Sequence, residues 1–339
     1  MKAAVLIQFG APLQIVEMDV PSPGPGQVLV RVIASGVNPL DTKIRHGQAP
    51  HARTVLPAVL GMDMAGVVES VGDGVDEFRP GDDVFGMTGG VGGIQGTLAE
   101  FVAVDHRLLA PKPHALSMQE AAALPLAFIT AREAFVGHAH IRDDALVLVH
   151  GGAGSGGQMA IQLARHRGAK VFATGSPASQ AIITAAGAVA IDYTTTTVAE
   201  YVDEHSAGHG FDVVFDTVGG ATLDDSFAAV KRYTGHVVSA LGWGTHSLAP
   251  LSFRAATYSG VFTLLPLLTG LHRERHGRAL RLAAEMADSG QLGTRLDGGT
   301  YTLANLEEAY AVVEKRTATG KVIVQIAQVP GGIKSRKQI

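Results

Sequence analysis

The sequence contains no cysteine. That absence removes disulfides, thiol nucleophiles, iron–sulfur clusters and any thiolate zinc site together. Long apolar runs are also missing. The longest, Val261 to Leu268, is broken by Pro266 and falls well short of the roughly 20 residues a membrane-spanning helix needs. The opening MKAAVLIQFG is too short in apolar residues for a signal peptide and has no small-residue cleavage site, so a cytoplasmic protein is the expectation. A strong charge of one sign is absent as well. The net charge of −4 gives no reason to expect nucleic acid or an anionic membrane as a partner.

What is present is length and glycine. With 339 residues the chain can bury the cores of two domains. Its 42 glycines lie well above the average usage of about 7%. The stretch from Ala145 to Ser176 puts glycine to use. An apolar strand-length run, ALVLV, leads into HGGAGSGG, then into a helical pattern, then into a second apolar run from Val171 to Thr174. Ala160, Leu163 and Ala164 fall on one helix face. Arg165, His166 and Arg167 close the last turn, where cations suit the helix dipole, and Gly168 follows as a cap.

Strand, glycine turn, helix and strand form half of a nucleotide-binding βαβ unit. Gly151, Gly152, Ala153, Gly154, Ser155, Gly156 and Gly157 are its candidate pyrophosphate-binding residues, with bare backbone amides and a helix N-terminus available to an anion. An NAD site wants a carboxylate about twenty residues past the first glycine. No Asp or Glu occurs from Ala145 through Ile191, and Gly175-Ser176 stands at the expected place, which favours NADPH. No Arg or Lys lies between Val171 and Ile191 to hold the 2′-phosphate.

Taken in order, residues 1 to about 120 read as short strands punctuated by Pro and Gly: Lys2–Ile7, Leu13–Met18, Val28–Ala34, Ala65–Val71 and Thr97–Val104. Gly89, Gly90, Gly92, Gly93 and Gly96 form a second glycine cluster, read as a mobile loop because no helix follows it. Ser117-Met-Gln-Glu120 is a capping box, Pro125 interrupts, and a helix from roughly Phe128 to Val136 leads to Ala145. Strands Leu146–Val149, Val171–Thr174, Val189–Asp192, Val213–Asp216 and Val237–Ala240 then alternate with helices, including Val198–His205 and Leu223–Val230. Such alternation predicts a doubly wound parallel sheet with ligands at its carboxyl ends. Those ends carry Gly151, Gly175, Tyr193, Asp216-Thr217 and Leu241-Gly242. A helix over Leu271–Ser289 shows Arg273, Arg275, Arg278 and Arg281 on polar positions, read as a solvated face. Lys334, Arg336 and Lys337 lie in an expected frayed tail.

Several short motifs now combine. They are Asn38-Pro-Leu-Asp41, Gly61-Met-Asp-Met-Ala-Gly-Val-Val-Glu69, Gly81-Asp-Asp-Val84, Leu98-Ala-Glu-Phe101, Ala121-Ala-Ala-Leu-Pro125 with Thr130, His150 through Gly157, Asp216-Thr-Val-Gly219 and Gly320-Lys321. In order and spacing the chain resembles, nearly end to end, the medium-chain dehydrogenase/reductase superfamily, and within it the zinc-free quinone oxidoreductase branch that includes zeta-crystallin-like proteins and enone reductases. The resemblance implies an α/β chain: a GroES-like β-rich domain over 1–124, a Rossmann doubly wound parallel sheet over 125–262, and a segment over 263–339 that returns to the first domain. It implies that Asn38, Asp41, Lys43 and Thr130 approach a nicotinamide. It implies that Gly175, Ser176 and Tyr193 hold the adenosine end, with Arg316 returning from the tail. A homodimer or homotetramer is the implied assembly.

The zinc-using relatives carry a cysteine near the segment that here reads Ser35-Gly-Val-Asn38, and Gly-His-Glu where this chain has Gly61-Met62-Asp63. A thioether is a poor zinc ligand beside imidazole. His46, His51 and His114 show no ligand pairing and read as solvent or structural residues. The expected activity is therefore hydride transfer from NADPH to a quinone or an α,β-unsaturated carbonyl, with Asn38, Asp41 and Thr130 orienting the acceptor. Two alternatives stand beside it: a zinc-type alcohol dehydrogenase, and a non-catalytic NADPH-binding or crystallin-like structural protein.

Overall fold

A computed structural model of the chain describes residues 1–328, so the expected tail with Lys334, Arg336 and Lys337 lies outside the described residues. The chain divides into two compact units. The first takes Met1–Pro125, Pro266–Ala284 and the chain from Arg295; the second takes Leu126–Leu265 and Glu285–Thr294.

The first unit is built of strands. β1 (Lys2–Leu6) pairs antiparallel with β2 (Gln14–Glu17). β3 (Gln27–Gly36) is buried along nearly its whole length, which is why its sequence, QVLVRVIASG, is almost continuously apolar rather than alternating. Asn38 caps α1 (Pro39–Arg45), and β4 (Ala58–Val59) closes the other edge of β1. β3 then pairs antiparallel with β5 (Asp63–Val71), with register shifts at Leu29/Val30 and Val32/Ala34 that bend the sheet. β6 (Asp83–Met87), β7 (Phe101–Asp105) and β8 (Leu109–Pro111) complete this part of the sheet, and α2 (Met118–Ala122) follows on the expected Ser117–Glu120 capping box.

The second glycine cluster is not the loose loop the sequence suggests. Met87 to Val91 are buried. A Cβ on Gly89 would lie 1.9 Å from the Gln95 carbonyl oxygen, and one on Gly96 would lie 2.3 Å from that of Leu60. These glycines let backbones touch, which a pattern reader cannot separate from flexibility.

The second unit opens with α3 (Pro125–Arg132), whose first residue is the proline expected to interrupt. Its ring suits the first helical turn, where the missing N–H has no partner to lose. A π-helical turn, Glu133–His138, extends it. Then come β9 (Leu146–His150), α4 (Ser155–His166), β10 (Lys170–Gly175), α5 (Gln180–Ala186), β11 (Val189–Asp192), α6 (Val198–Ser206), β12 (Val213–Asp216), α7 (Ala221–Ala229), β13 (His236–Ser239), α8 (Ala249–Ser252) and β14 (Thr257–Gly260). The strands form one six-stranded parallel sheet in the order β11-β10-β9-β12-β13-β14. The order reverses at β9, so the crevice at the carboxyl ends of β9 and β12 is the switch point where such sheets take ligands.

The remaining chain carries α9 (Leu265–Thr269), α10 (Glu274–Asp288), β15 (Tyr301–Thr302), α11 (Leu306–Glu314) and β16 (Ile323–Gln325). β16 pairs antiparallel with the far end of β3, Ile323 opposite Gly36. Arg275 and Arg278 of α10 are exposed, as expected of a solvated face, while Arg273, just before it, pairs with Asp105 of β7 (3.0 Å) and Arg281 with Glu77 in the loop after β5 (3.4 Å). α11 docks on α1 through Arg45, which pairs with Glu307 (2.6 Å) and lies over the Tyr310 ring (5.5 Å to its centroid). Among the described residues no helix is long and apolar enough to cross a membrane.

Candidate functional site

The glycine turn joins β9 to α4 at the switch point. Gly151 has φ +75°, and a Cβ there would lie 2.7 Å from Thr217 Oγ1. A Cβ on Gly157 would lie 2.2 Å from the Gly151 carbonyl oxygen, so this glycine is required for the helix to approach the turn. Gly154 and Gly156 differ: a Cβ would meet only the Gly151 oxygen at 3.5 Å in the first case and Thr217 Cγ2 at 3.9 Å in the second. Gly154 is the N-cap of α4 and no side chain caps that turn. The first-turn N–H groups of Ser155, Gly156 and Gly157 are ones a helix cannot satisfy itself, and there is room beside them at Gly154 and Gly156. Gly152 and Ala153 form the turn between, with Gly152 N–H donating to the Thr174 carbonyl (3.0 Å). An uncapped helix N-terminus with bare backbone around it fits a pyrophosphate.

A polar network that the sequence reading did not resolve lies under this turn. His150, buried at the end of β9, meets Thr174 Oγ1 through Nδ1 (3.0 Å). Thr217 Oγ1 donates to the His150 carbonyl (2.7 Å). Asp216 accepts from the N–H groups of Val218 and Gly219 (both 2.9 Å) and from Ser239 Oγ (2.7 Å). Ser239 Oγ in turn accepts from Leu241 N–H (3.1 Å). The carboxyl ends of β10, β9, β12 and β13 are thus linked by side chains. Burial lowers the His150 pKa to about 4, so the ring is neutral at pH 7.

At the adenosine end, Gly175 closes β10 and Ser176 Oγ lies 3.0 Å from Ser179 Oγ. Tyr193, just past β11, is 60% exposed. The strand register brings Asp192 opposite Gly175, a carboxylate that counting along the chain did not weigh. Its Oδ1 is engaged locally, accepting from Thr194 N–H (2.9 Å) and Thr194 Oγ1 (2.7 Å), and these bonds hold its pKa down.

Thr130, on α3, donates its hydroxyl to the Leu126 carbonyl (2.7 Å) and lies 2.9 Å from Thr263 Oγ1. With its proton committed to Leu126, Thr130 presents an acceptor rather than a donor.

In the first unit Asn38 and Asp41 are brought together, but inward. Asp41 Oδ2 accepts from Asn38 N–H at 2.8 Å, capping α1. Burial, with Asp63 nearby adding to it, raises the Asp41 pKa to about 7, although the Asn38 N–H and Lys321 pull the other way. The Asn38 amide is consumed: Nδ2 donates to Asp63 Oδ2 (2.9 Å) and Oδ1 accepts from Lys321 Nζ. Lys321 also pairs with Asp63 (3.1 Å), with side chains only 4% and 0% exposed. These contacts make Asn38 and Asp41 parts of a buried polar core rather than groups on an open surface. Lys43 is exposed on α1. Arg316 is exposed on the turn after α11, with φ +56°. Leu241, beyond β13, packs its carbonyl oxygen against Gly219.

The donor set does not fit zinc. The chain has no cysteine, and among the described residues no group of three or more His, Asp or Glu side chains could hold a metal ion. Met62 is buried, and Ser35 Oγ bonds Thr97 Oγ1 (2.7 Å).

A six-stranded Rossmann sheet with an uncapped glycine turn, in a chain that also holds a strand-rich unit completed by its later segments, defines a dinucleotide-dependent dehydrogenase/reductase architecture. Residues 24–114 match the alcohol dehydrogenase GroES-like domain, and residues 186–324 match a family described as zinc-binding dehydrogenase. The chain is 32% identical over 336 residues to the chloroplastic NADPH-dependent alkenal/one oxidoreductase of Arabidopsis thaliana, covering 96% of this chain and 79% of that protein. It is 30% identical to the quinone oxidoreductase of Homo sapiens, covering 96% and 97%. The crystal structure of an alcohol dehydrogenase superfamily protein from Novosphingobium aromaticivorans superposes with a TM-score of 0.94 at 52% identity, covering 96% and 100%. The chain belongs to the medium-chain dehydrogenase/reductase superfamily, in its quinone oxidoreductase branch.

Proposed function

We propose that the protein is an NADPH-dependent oxidoreductase that reduces a quinone or an α,β-unsaturated carbonyl without zinc. The observation that carries this reading is the uncapped first turn of α4, with room at Gly154 and Gly156 for a phosphate. When bound, the nicotinamide supplies the hydride. The N–H groups of Ser155, Gly156 and Gly157 bind the pyrophosphate, and Ser176, with Ser179 and Tyr193, faces the 2′-phosphate and adenine. The local engagement of Asp192 by Thr194 supports NADPH over NADH, because that carboxylate is drawn into its own turn.

In this reading Leu241 borders the nicotinamide half of the site, Lys43 and Arg316 are the cationic cofactor-binding residues, and Thr130 fixes a hydroxyl at Thr263. Asn38 and Asp41 act by holding α1 in place. Among the described residues no metal-holding donor set is present to polarise a simple carbonyl, which supports an acceptor that is itself electron-poor. Domain limits of 1–124, 125–262 and 263–339, a cytoplasmic location and a homodimer or homotetramer belong to the same reading. The test is a steady-state screen of quinones, enones and alcohols with NADPH against NADH. Turnover of quinones or enones with NADPH supports it; turnover of ethanol alone, or preference for NADH, overturns it.

A further inference from the structure

The carboxyl rim of the second unit's sheet is chemically divided. Over β10 and β11 it is polar, with Ser176, Ser179 and Tyr193. Past the buried Asp216 and Ser239 at the ends of β12 and β13, the loops after β12, β13 and β14 carry large apolar residues. Val218 follows β12, 50% exposed, and a Cβ on Gly151 would lie 3.0 Å from its Cγ2. Leu241 follows β13, and two residues on stands Trp243, whose N–H donates to the Leu241 carbonyl (2.8 Å). Val261 N–H donates to the Ser239 carbonyl (2.9 Å), which brings the segment after β14 to the end of β13. There Phe262 meets Trp243 edge to face, ring centroids 6.2 Å apart, and the next residue, Thr263, bonds Thr130.

Trp243 is nevertheless 53% exposed. The largest aromatic side chain in the protein is braced by Phe262 and left with much of its apolar surface in water. It stands on the same rim as the glycine turn, on the side opposite the polar residues. A dinucleotide laid across the switch point, with its adenosine over β10 and β11, sends its reactive ring toward this apolar side. An aromatic ring at that place gains from a flat partner both by burial and by offset stacking.

We infer that Trp243 is the acceptor platform and a specificity-determining residue, selecting planar arene-bearing quinones and enones over short aliphatic ones. This rests on the reductase reading above. The experiment uses two enones with the same reacting group, 4-phenyl-3-buten-2-one and 3-penten-2-one. The chain holds a single tryptophan, so its intrinsic fluorescence reports on Trp243 alone. In protein loaded with NADP⁺, which cannot donate hydride, the aryl enone quenches that signal saturably, after correction against free N-acetyltryptophanamide, and the aliphatic enone does not. In steady state, Trp243→Ala lowers the kcat/KM preference for the aryl over the aliphatic enone about tenfold, chiefly through KM, and Trp243→Phe restores most of it. An unchanged preference in Trp243→Ala, or the absence of saturable quenching, overturns the inference. Saturable quenching by the aryl enone with no turnover of either enone or of any quinone in the screen supports the platform and overturns the reductase reading instead.

Discussion

Single residues in this protein carry duties that their neighbours in sequence do not reveal. Gly157 and Gly154 belong to one motif, yet a Cβ is excluded at the first and tolerated at the second. Gly157→Ala is expected to cost about 1–3 kcal/mol by forcing α4 off the turn, and to weaken NADPH binding at least tenfold. Gly154→Ala should leave stability nearly unchanged; equal thermal midpoints for the two variants would contradict the packing described. Lys321 is the opposite case. Its partners, Asn38 and Asp63, lie 283 and 258 positions away, so no local pattern could have announced a buried ion pair there. The sequence offered only a Gly-Lys motif by resemblance. Lys321→Met should destabilise the protein by about 3–5 kcal/mol, because it leaves Asp63 buried without its cation. Adding Asp63→Asn should recover part of that loss, and a strictly additive double-mutant cycle in urea would refute the coupling.

At the scale of elements, legibility followed periodicity and punctuation. β11 and β12 lie where their apolar runs predict, and the alanine–leucine face of α4 is buried. β14 was not legible because TYSG has no apolar run; its partner β13 makes it a strand. α1 was not legible as a helix, since Asn-Pro-Leu-Asp is equally good turn chemistry. Its cap has a pH consequence. Asp41 has a raised pKa, so it favours the folded state when protonated; its contribution is present below about pH 4 and lost as pH rises toward 7. The Asp41→Asn variant should therefore gain thermal stability relative to wild type as pH rises through that window. His150, on β9, runs the other way. Its lowered pKa means stability is lost as pH falls from about 6.5 to about 4, and His150→Gln should gain relative to wild type toward acid. Each effect is on the order of 3 kcal/mol, and melting curves between pH 4.5 and 7.5 that run parallel to wild type would refute it.

For the whole molecule, the two-part organisation and the kind of chemistry were legible because several short motifs agreed in order, although each alone was weak. The acceptor was not legible, since the rim proposed to face it is assembled from loops after β12, β13 and β14 that share no pattern. The missing donor set for zinc makes a prediction at this scale. Incubation with EDTA or 1,10-phenanthroline should leave turnover unchanged, and elemental analysis of the purified protein should find no stoichiometric metal. Loss of activity in chelator, restored by added zinc, would overturn this.

The pairing of β16 with β3, with Lys321 seated on Asp63, sets an order of events during synthesis. The ribosome delivers Asp63 early and its cation about 258 residues later. Until then Asp63 lacks the Lys321 ammonium and the strand at Gly36 lacks its β16 neighbour. Most of the second unit, Leu126–Leu265, is continuous in the chain and can fold as it emerges. The first-made part of this protein is thus among the last to be finished, and a chain stalled before Lys321 would carry a complete Rossmann sheet and a first unit whose β3 edge is still unpaired and aggregation-prone.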